Sequence, residues 1–191
     1  NPNQIIYSNL DGTSVIQGAT LNINSVSANG LKVNLGTTFI DSKIIENNET
    51  TYPLLTEKVS GNYKISYSFY NPKITLDLSG TVIGPMKLPL LSALDTRDPM
   101  SPVIHIMNLQ ATYGFKTFEL FAGIKNILNF KPPSNSIARA FDPFDTGVEF
   151  GTYGQVIATP NNPNALSFDP SYVYYSNQGT NGFLGIRYQI K

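Results

Sequence analysis

FELFAGIKNILNF, residues Phe118–Phe130, admits two readings. At helical spacing, Leu120, Ile124, Ile127 and Leu128 share a face. In alternation, Phe118, Leu120, Ala122, Ile124, Leu128 and Phe130 share one, and Asn126 is the intruder. A helix would belong to a mixed domain. A strand of this length would cross a considerable thickness. The rest of the chain decides between them. GNYKISYSFY (Gly61–Tyr70) sets Tyr63, Ile65, Tyr67 and Phe69 against Asn62, Lys64, Ser66 and Ser68. KITLDLSGTV (Lys73–Val82), LKVNLGTTF (Leu31–Phe39), MNLQATYGF (Met107–Phe115) and FLGIRYQIK (Phe183–Lys191) alternate in the same way. ATLNIN (Ala19–Asn24) is shorter, and IIYSNL (Ile5–Leu10) is the weakest. Period two with β-branched and aromatic residues is the signal of a half-buried strand. Gly123 inside the opening stretch also costs about 1 kcal/mol in a helix. The stretch is therefore read as a strand, and the chain as all-β with about eight strands.

Composition narrows the setting. Charged residues make up 14% of the 191 residues, against roughly 25% in ordinary soluble domains. No apolar run approaches the ~20 residues of a spanning helix. The net charge is zero, which gives no electrostatic basis for binding nucleic acid. Without Cys there are no disulfides or thiolate metal sites, and the lone His105 excludes a site built on two imidazoles. The chain begins at Asn1 with no Met and no signal-like segment, so a processed or partial chain is expected.

The connections say more than the strands. Asn29-Gly30 predicts a type I′ hairpin, Tyr70-Asn71-Pro72 a tight turn, and Gly114-Phe115-Lys116 another. Between them lie long connections around Lys43–Lys58, Gly84–Pro102 and Lys131–Asn181. Short and long alternate, so every short turn falls at one end of the sheet and every long loop at the other. Outer-membrane β-barrels have short periplasmic turns and long extracellular loops, and strands of ~9–11 residues cross a bilayer when tilted. Lys64, Asp77, Glu119, Lys125 and Arg187 all fall on polar faces and are expected to face a lumen. Phe69, Tyr70, Tyr113, Phe115, Phe118 and Tyr188 gather near the short turns, as an interfacial girdle would. A soluble β-sandwich also alternates, but its strands are nearer 5–6 residues and its long loops need not favour one end.

The C-terminal part resembles the barrel of TonB-dependent outer-membrane receptors, in particular the Bacteroidota branch. The resemblance rests on the order and spacing of LLTEKVSGNYKISYSF (Leu54–Phe69), LDLSGTVIGPMKLPLL (Leu76–Leu91), FELFAGIKNILNFKPP (Phe118–Pro133), SIARAFDPFD (Ser136–Asp145) and NALSFDPSYVYYSNQGTNGFLGIRYQI (Asn164–Ile190). Gly185-x-x-Tyr188-x-Ile190 resembles the terminal signal read by the barrel assembly machinery; Ile190 stands where an aromatic is usual, and Lys191 follows. The resemblance implies an antiparallel transmembrane barrel of about 22 strands around a plug, of which residues 1–191 form the C-terminal segment. The plug and earlier strands would lie upstream. It further implies import of a scarce nutrient (iron-siderophore, haem, cobalamin or glycan) across the outer membrane of a Gram-negative bacterium. The implied partners are the rest of the receptor, the TonB complex acting through the plug, outer-membrane lipid, the assembly machinery and a surface lipoprotein. A self-contained small barrel with a structural or adhesive role, or a soluble sandwich binding module, are the alternatives.

No catalytic constellation, cofactor motif or metal-ligand spacing is found, and a non-enzymatic role is expected. Asp142, Asp145 and Glu149 fit no standard calcium loop. Arg139 beside Phe141, Asp142 and Phe144 is the candidate ligand contact at the outer mouth, with an internal Arg139 ion pair to Asp142 or Asp145 as the plainer reading. Gly80, Gly123 and Gly185 lie inside strands, where each permits a bulge or close packing.

Overall fold

The computed structural model describes residues 11–90, 97–133, 148–153, 155–163, 165 and 173–188. They form one antiparallel sheet: β1 (Gly12–Val26), β2 (Leu31–Glu46), β3 (Glu49–Thr51), β4 (Val59–Phe69), β5 (Ile74–Ile83), β6 (Ile104–Gly114), β7 (Phe118–Lys125) and β8 (Asn181–Tyr188). The described residues include no helix. The strand order is β1-β2-β4-β5-β6-β7-β8, a meander in which each strand lies beside the next, while short β3 pairs with β2 alone. The sequence stretch Ile5–Leu10 lies outside the described residues.

Period two sets the two faces, and the register carries them across the sheet. Leu78, Leu109 and Ile124 are direct partners on one face. Ser66, Asp77, Gln110, Gly123 and Phe183 form a continuous row on the other. Neither face carries a second layer among the described residues. The apolar face is open: Ile65, Leu76, Leu109 and Ile124 are all exposed, and Leu184 is 80% exposed. Among the described residues the buried hydrophobic core is Met86, Leu88 and Ile104, the last fully enclosed. All three lie at the long-loop end. There, residues 84–90 run beside residues 97–103: Ser101 N–H donates to Met86 O (2.8 Å) and Leu88 N–H to Pro99 O (2.9 Å). Leu55 N–H donates to Lys87 O (2.8 Å), which ties the preceding loop to it.

Three expectations change. Only Gly30 of the Asn29-Gly30 pair has positive φ (+92°), so this is not a type I′ turn. Ser27 N–H instead donates to Leu31 O (2.8 Å) and Gly30 N–H to Ser27 O (3.2 Å), a wider turn closed by a left-handed glycine. The pair with positive φ at both residues is Asn47 (50°) and Asn48 (63°), between partners Glu46 and Glu49. Asparagine tolerates this region because its short amide bonds locally. The expected irregular connection Lys43–Lys58 is therefore partly ladder: β2 runs on to Glu46 and turns back as β3. The opening stretch, lastly, is a strand only through Lys125. Asn126 takes φ +51° and leaves the sheet, so Leu128 and Phe130 are not on the apolar face of β7.

Candidate functional site

The polar face of the sheet carries the charged side chains. Lys64, Asp77, Glu119, Lys125 and Arg187 share it, as the alternation predicts. Asp77 is the most enclosed of its ion-paired groups, with a side chain 19% exposed. It accepts a short bond from the Ser66 hydroxyl (2.5 Å) and an ion pair from Lys64 Nζ (3.4 Å). An O–H donor to a carboxylate at that distance is charge-assisted. Nearer the short turns, Glu119 and Arg187 are cross-strand partners joined at 2.8 Å. Uncharged pairs continue the network: Thr20 with Thr38 (3.1 Å), Ser68 with Thr75 (3.2 Å), and Gln110 Nε2 donating to Thr112 Oγ1 (3.1 Å).

Two aromatic rings interrupt this polarity. Phe121 and Phe183 lie on the polar face, and sequence reading passed over both. The signal was there: in FELFAGIK, Phe121 has the parity of Glu119 and Lys125. Each ring lies over the glycine opposite it. A Cβ on Gly123 would stand 2.4 Å from Phe183 Cζ, and one on Gly185 would stand 2.3 Å from Phe121 Cζ. Lys125 Nζ sits 5.5 Å from the Phe183 ring and the Arg187 guanidinium 5.8 Å from that of Phe121, within cation–π range. Gly80 repeats the device on the apolar face, where a Cβ would meet the Tyr63 hydroxyl at 2.3 Å. That hydroxyl reaches on to His105 Nε2 (2.9 Å). The close packing expected at the three strand glycines is thus an aromatic ring lying over each. Gly185→Ala should displace Phe121 and destabilise the wall by roughly 1–3 kcal/mol. In denaturant titrations, Gly185→Ala with Phe121→Ala should be no less stable than Phe121→Ala alone; additive losses would refute the ring-over-glycine contact.

At the long-loop end, Asn126 ties the wall to the longest connection. It is 5% exposed. Its N–H donates to Asn108 Oδ1 (3.0 Å), its Oδ1 accepts from Phe130 N–H (2.9 Å), and its Nδ2 donates to Phe130 O (2.8 Å) and Gln178 O (3.3 Å). Its carbonyl accepts from Thr180 Oγ1 (2.7 Å). Asn129, also left-handed at φ 52°, receives Thr180 N–H on its Oδ1 (3.1 Å). The two roots of the connection between β7 and β8 are thereby pinned together. On β2, the apolar-face residues run Leu31, Val33, Leu35, Thr37 and Phe39, and then Asp41 and Lys43 follow in the same register. These two pair at 2.7 Å. The Asp41 carboxylate, by hydrogen bond and charge, raises the Lys43 pKa above the ordinary lysine value.

The proposed mouth residues Arg139, Phe141, Asp142 and Phe144 lie outside the described residues, as does Ile190. Of the terminal signal, Tyr188 ends β8 on the apolar face at Phe118, and Gly185 lies on the polar face beneath Phe121. Among the described residues no group of three His, Cys, Asp or Glu is arranged to hold a metal ion. What the polar face offers is hydrogen bonding, ion pairing and ring contact. No protein-family model and no curated protein matches the chain.

Proposed function

We propose that this chain is a C-terminal wall segment of a TonB-dependent outer-membrane transporter, supplying barrel strands, outer loops and the closing strand. The observation that carries the membrane reading is a sheet whose apolar face is uncovered across all its long strands. Each Leu or Ile on that face gains about 1.5–3 kcal/mol on leaving water, and no protein layer among the described residues supplies the burial. Acyl chains would. Strands β4, β5 and β6, of 11, 10 and 11 residues, suit a tilted crossing. The short turns after β1, β4 and β6 fall together at one end and the three longer connections at the other, the arrangement of outer-membrane barrels. The extra length of β1 and β2 lies past Phe39, where Asp41 and Lys43 end the apolar run, so these strands would rise above the bilayer. TonB dependence and nutrient import come from the resemblance and rest on it alone.

The strand directions count against the self-contained small barrel. Seven strands form the continuous path, β3 being a side strand. In an antiparallel meander the first and seventh run the same way. Joining β1 to β8 would make a parallel pair, whereas antiparallel barrels of single-chain outer-membrane type have even strand numbers. The stretch Ile5–Leu10 is too short for an ordinary crossing strand of ~9–11 residues. The wall is completed most simply by further strands, odd in number, from outside the described residues. A soluble sandwich would need a second sheet over the apolar face.

The decisive experiment measures ligand uptake by cells carrying the intact parent protein, with and without TonB. Uptake should stop on TonB depletion. Uptake at full rate without TonB would overturn the transport mechanism, and recovery of the parent in the soluble fraction would overturn the membrane assignment.

A further inference from the structure

Between the row of Thr38 and Ser60 and the short turns, the polar face carries more positive charge than negative. Its bases there are Lys32, Lys64, Lys125 and Arg187, and its acids are Asp77 and Glu119. Lys73 adds to the bases. Gly114 N–H donates to its carbonyl (2.9 Å), in the row that Glu119 and Arg187 continue. Both acids are engaged within the sheet. Asp77 takes Lys64 Nζ at 3.4 Å and the Ser66 hydroxyl, and Glu119 takes Arg187. Lys32 shares the row of Asp77, on the far side of Ser66, yet forms no ion pair among the described residues. Lys125 forms none either, and its ammonium stands 5.5 Å from the Phe183 ring. Both lysines are exposed.

Inside a wall surrounded by lipid, charges of one sign reinforce one another, because low-dielectric surroundings focus their field. The excess therefore calls for fixed anions opposite this face. The uncharged groups fit a polypeptide occupant. Lys64, Ser79, Asn108 and Lys125 follow in one row, flanked by Asn34 and Asn181. Amides and hydroxyls of this kind both donate and accept, as a peptide surface requires. The spacing fits it as well. Lys32 on β2 and Lys125 on β7 are separated by β4, β5 and β6, roughly 19 Å along the sheet at the usual strand spacing. A small chelate or carboxylate does not span that distance, whereas a protein surface does.

We propose that the polar face is a docking surface for an acidic polypeptide surface, with Lys32 and Lys125 paired to Asp or Glu carboxylates of that partner. The inference rests on the wall-segment reading above, which makes this face the inner one. The charge adds the sign of what the face meets and names the two side chains that meet it. Lys64 and Arg187 are less available, because each already holds a carboxylate of its own sheet.

The test treats the intact parent protein, in isolated membranes, with a water-soluble carbodiimide. This reagent joins a lysine amine to a carboxylate that is already within ion-pair distance, and peptide mass mapping identifies each joined pair. Lys64 with Asp77, at 3.4 Å, calibrates the yield. Lys32 and Lys125 should each be joined to an Asp or Glu outside the described strands, in yield comparable to that pair. Both products should be lost in Lys32→Gln/Lys125→Gln, while the Lys64–Asp77 product persists. Lys32 and Lys125 left uncoupled in membrane-inserted parent would overturn the docking surface and leave the wall reading standing. Uncoupled lysines that added tripolyphosphate protects from acetylation would assign the face to a small anion, and would likewise overturn it. Recovery of the parent in the soluble fraction would overturn the wall reading, and the docking surface with it.

Discussion

Leu109→Arg is expected to weaken assembly in lipid by roughly 2–4 kcal/mol, the penalty of a cation on the lipid face near the bilayer midplane. Leu109 stands midway along β6, partnered by Leu78 and Ile124 on the apolar face. It is 42% exposed, with no layer over it among the described residues. Its neighbour Gln110 occupies the polar face beside Asp77. Gln110→Arg should therefore be near neutral, although it adds the same charge one residue away. Refolding of the intact protein into vesicles, followed by denaturant titration, measures both. The contrast is the diagnostic, because charge and helix or strand propensity are matched between the variants. If water covered the apolar face, Leu109→Arg would be harmless and would improve solubility. Equal stability of the two variants would thus remove the physical basis of the membrane assignment.

Asn126→Ala is expected to cost about 3 kcal/mol. The side chain makes three hydrogen bonds, one accepted from Phe130 N–H and two donated to Phe130 O and Gln178 O, and a buried polar group left without its partner costs about 1–3 kcal/mol. Alanine must also hold φ +51°, which adds roughly 1 kcal/mol for a residue with a Cβ. Asn126→Gly separates the two contributions, since glycine accepts the left-handed backbone and loses only the hydrogen bonds. The glycine variant should recover about that last increment. Limited proteolysis should also cut the connection between β7 and β8 faster in both variants, because Asn126 is bonded to both of its roots. An alanine variant with wild-type stability and protease resistance would show that the knot is incidental.

Both predictions draw on features of unequal legibility. That Leu109 and Gln110 lie on opposite faces follows from the alternation in MNLQATYGF alone. Asn126 was visible in the sequence only as a fault in the β7 pattern. Its role depends on Gln178 and Thr180, at sequence separations of 52 and 54 residues, and no local period encodes such partners. The Asn47-Asn48 turn was missed for a related reason. Asn29-Gly30 carries the stronger local hairpin signal, yet its turn geometry is set by the register of β1 on β2, in which Val26 meets Lys32.

By itself the sequence determined which residues share a face and at which end each connection falls. A strand's side chains alternate whatever its neighbours are, and antiparallel strands reverse direction at every link. It therefore assigned Lys64, Asp77, Glu119, Lys125 and Arg187 to one surface and brought the short turns to one end. Only the tertiary structure decided where strands stop and what fills the gaps between them. It ended β7 at Lys125, extended β2 to Glu46, set seven of the eight described strands on one continuous path with β3 beside β2 alone, and laid Phe121, Phe183 and Tyr63 over the glycines of neighbouring strands. These outcomes depend on register between segments far apart in the chain, and register is a property of pairs of strands, which the periodicity of either one alone does not contain.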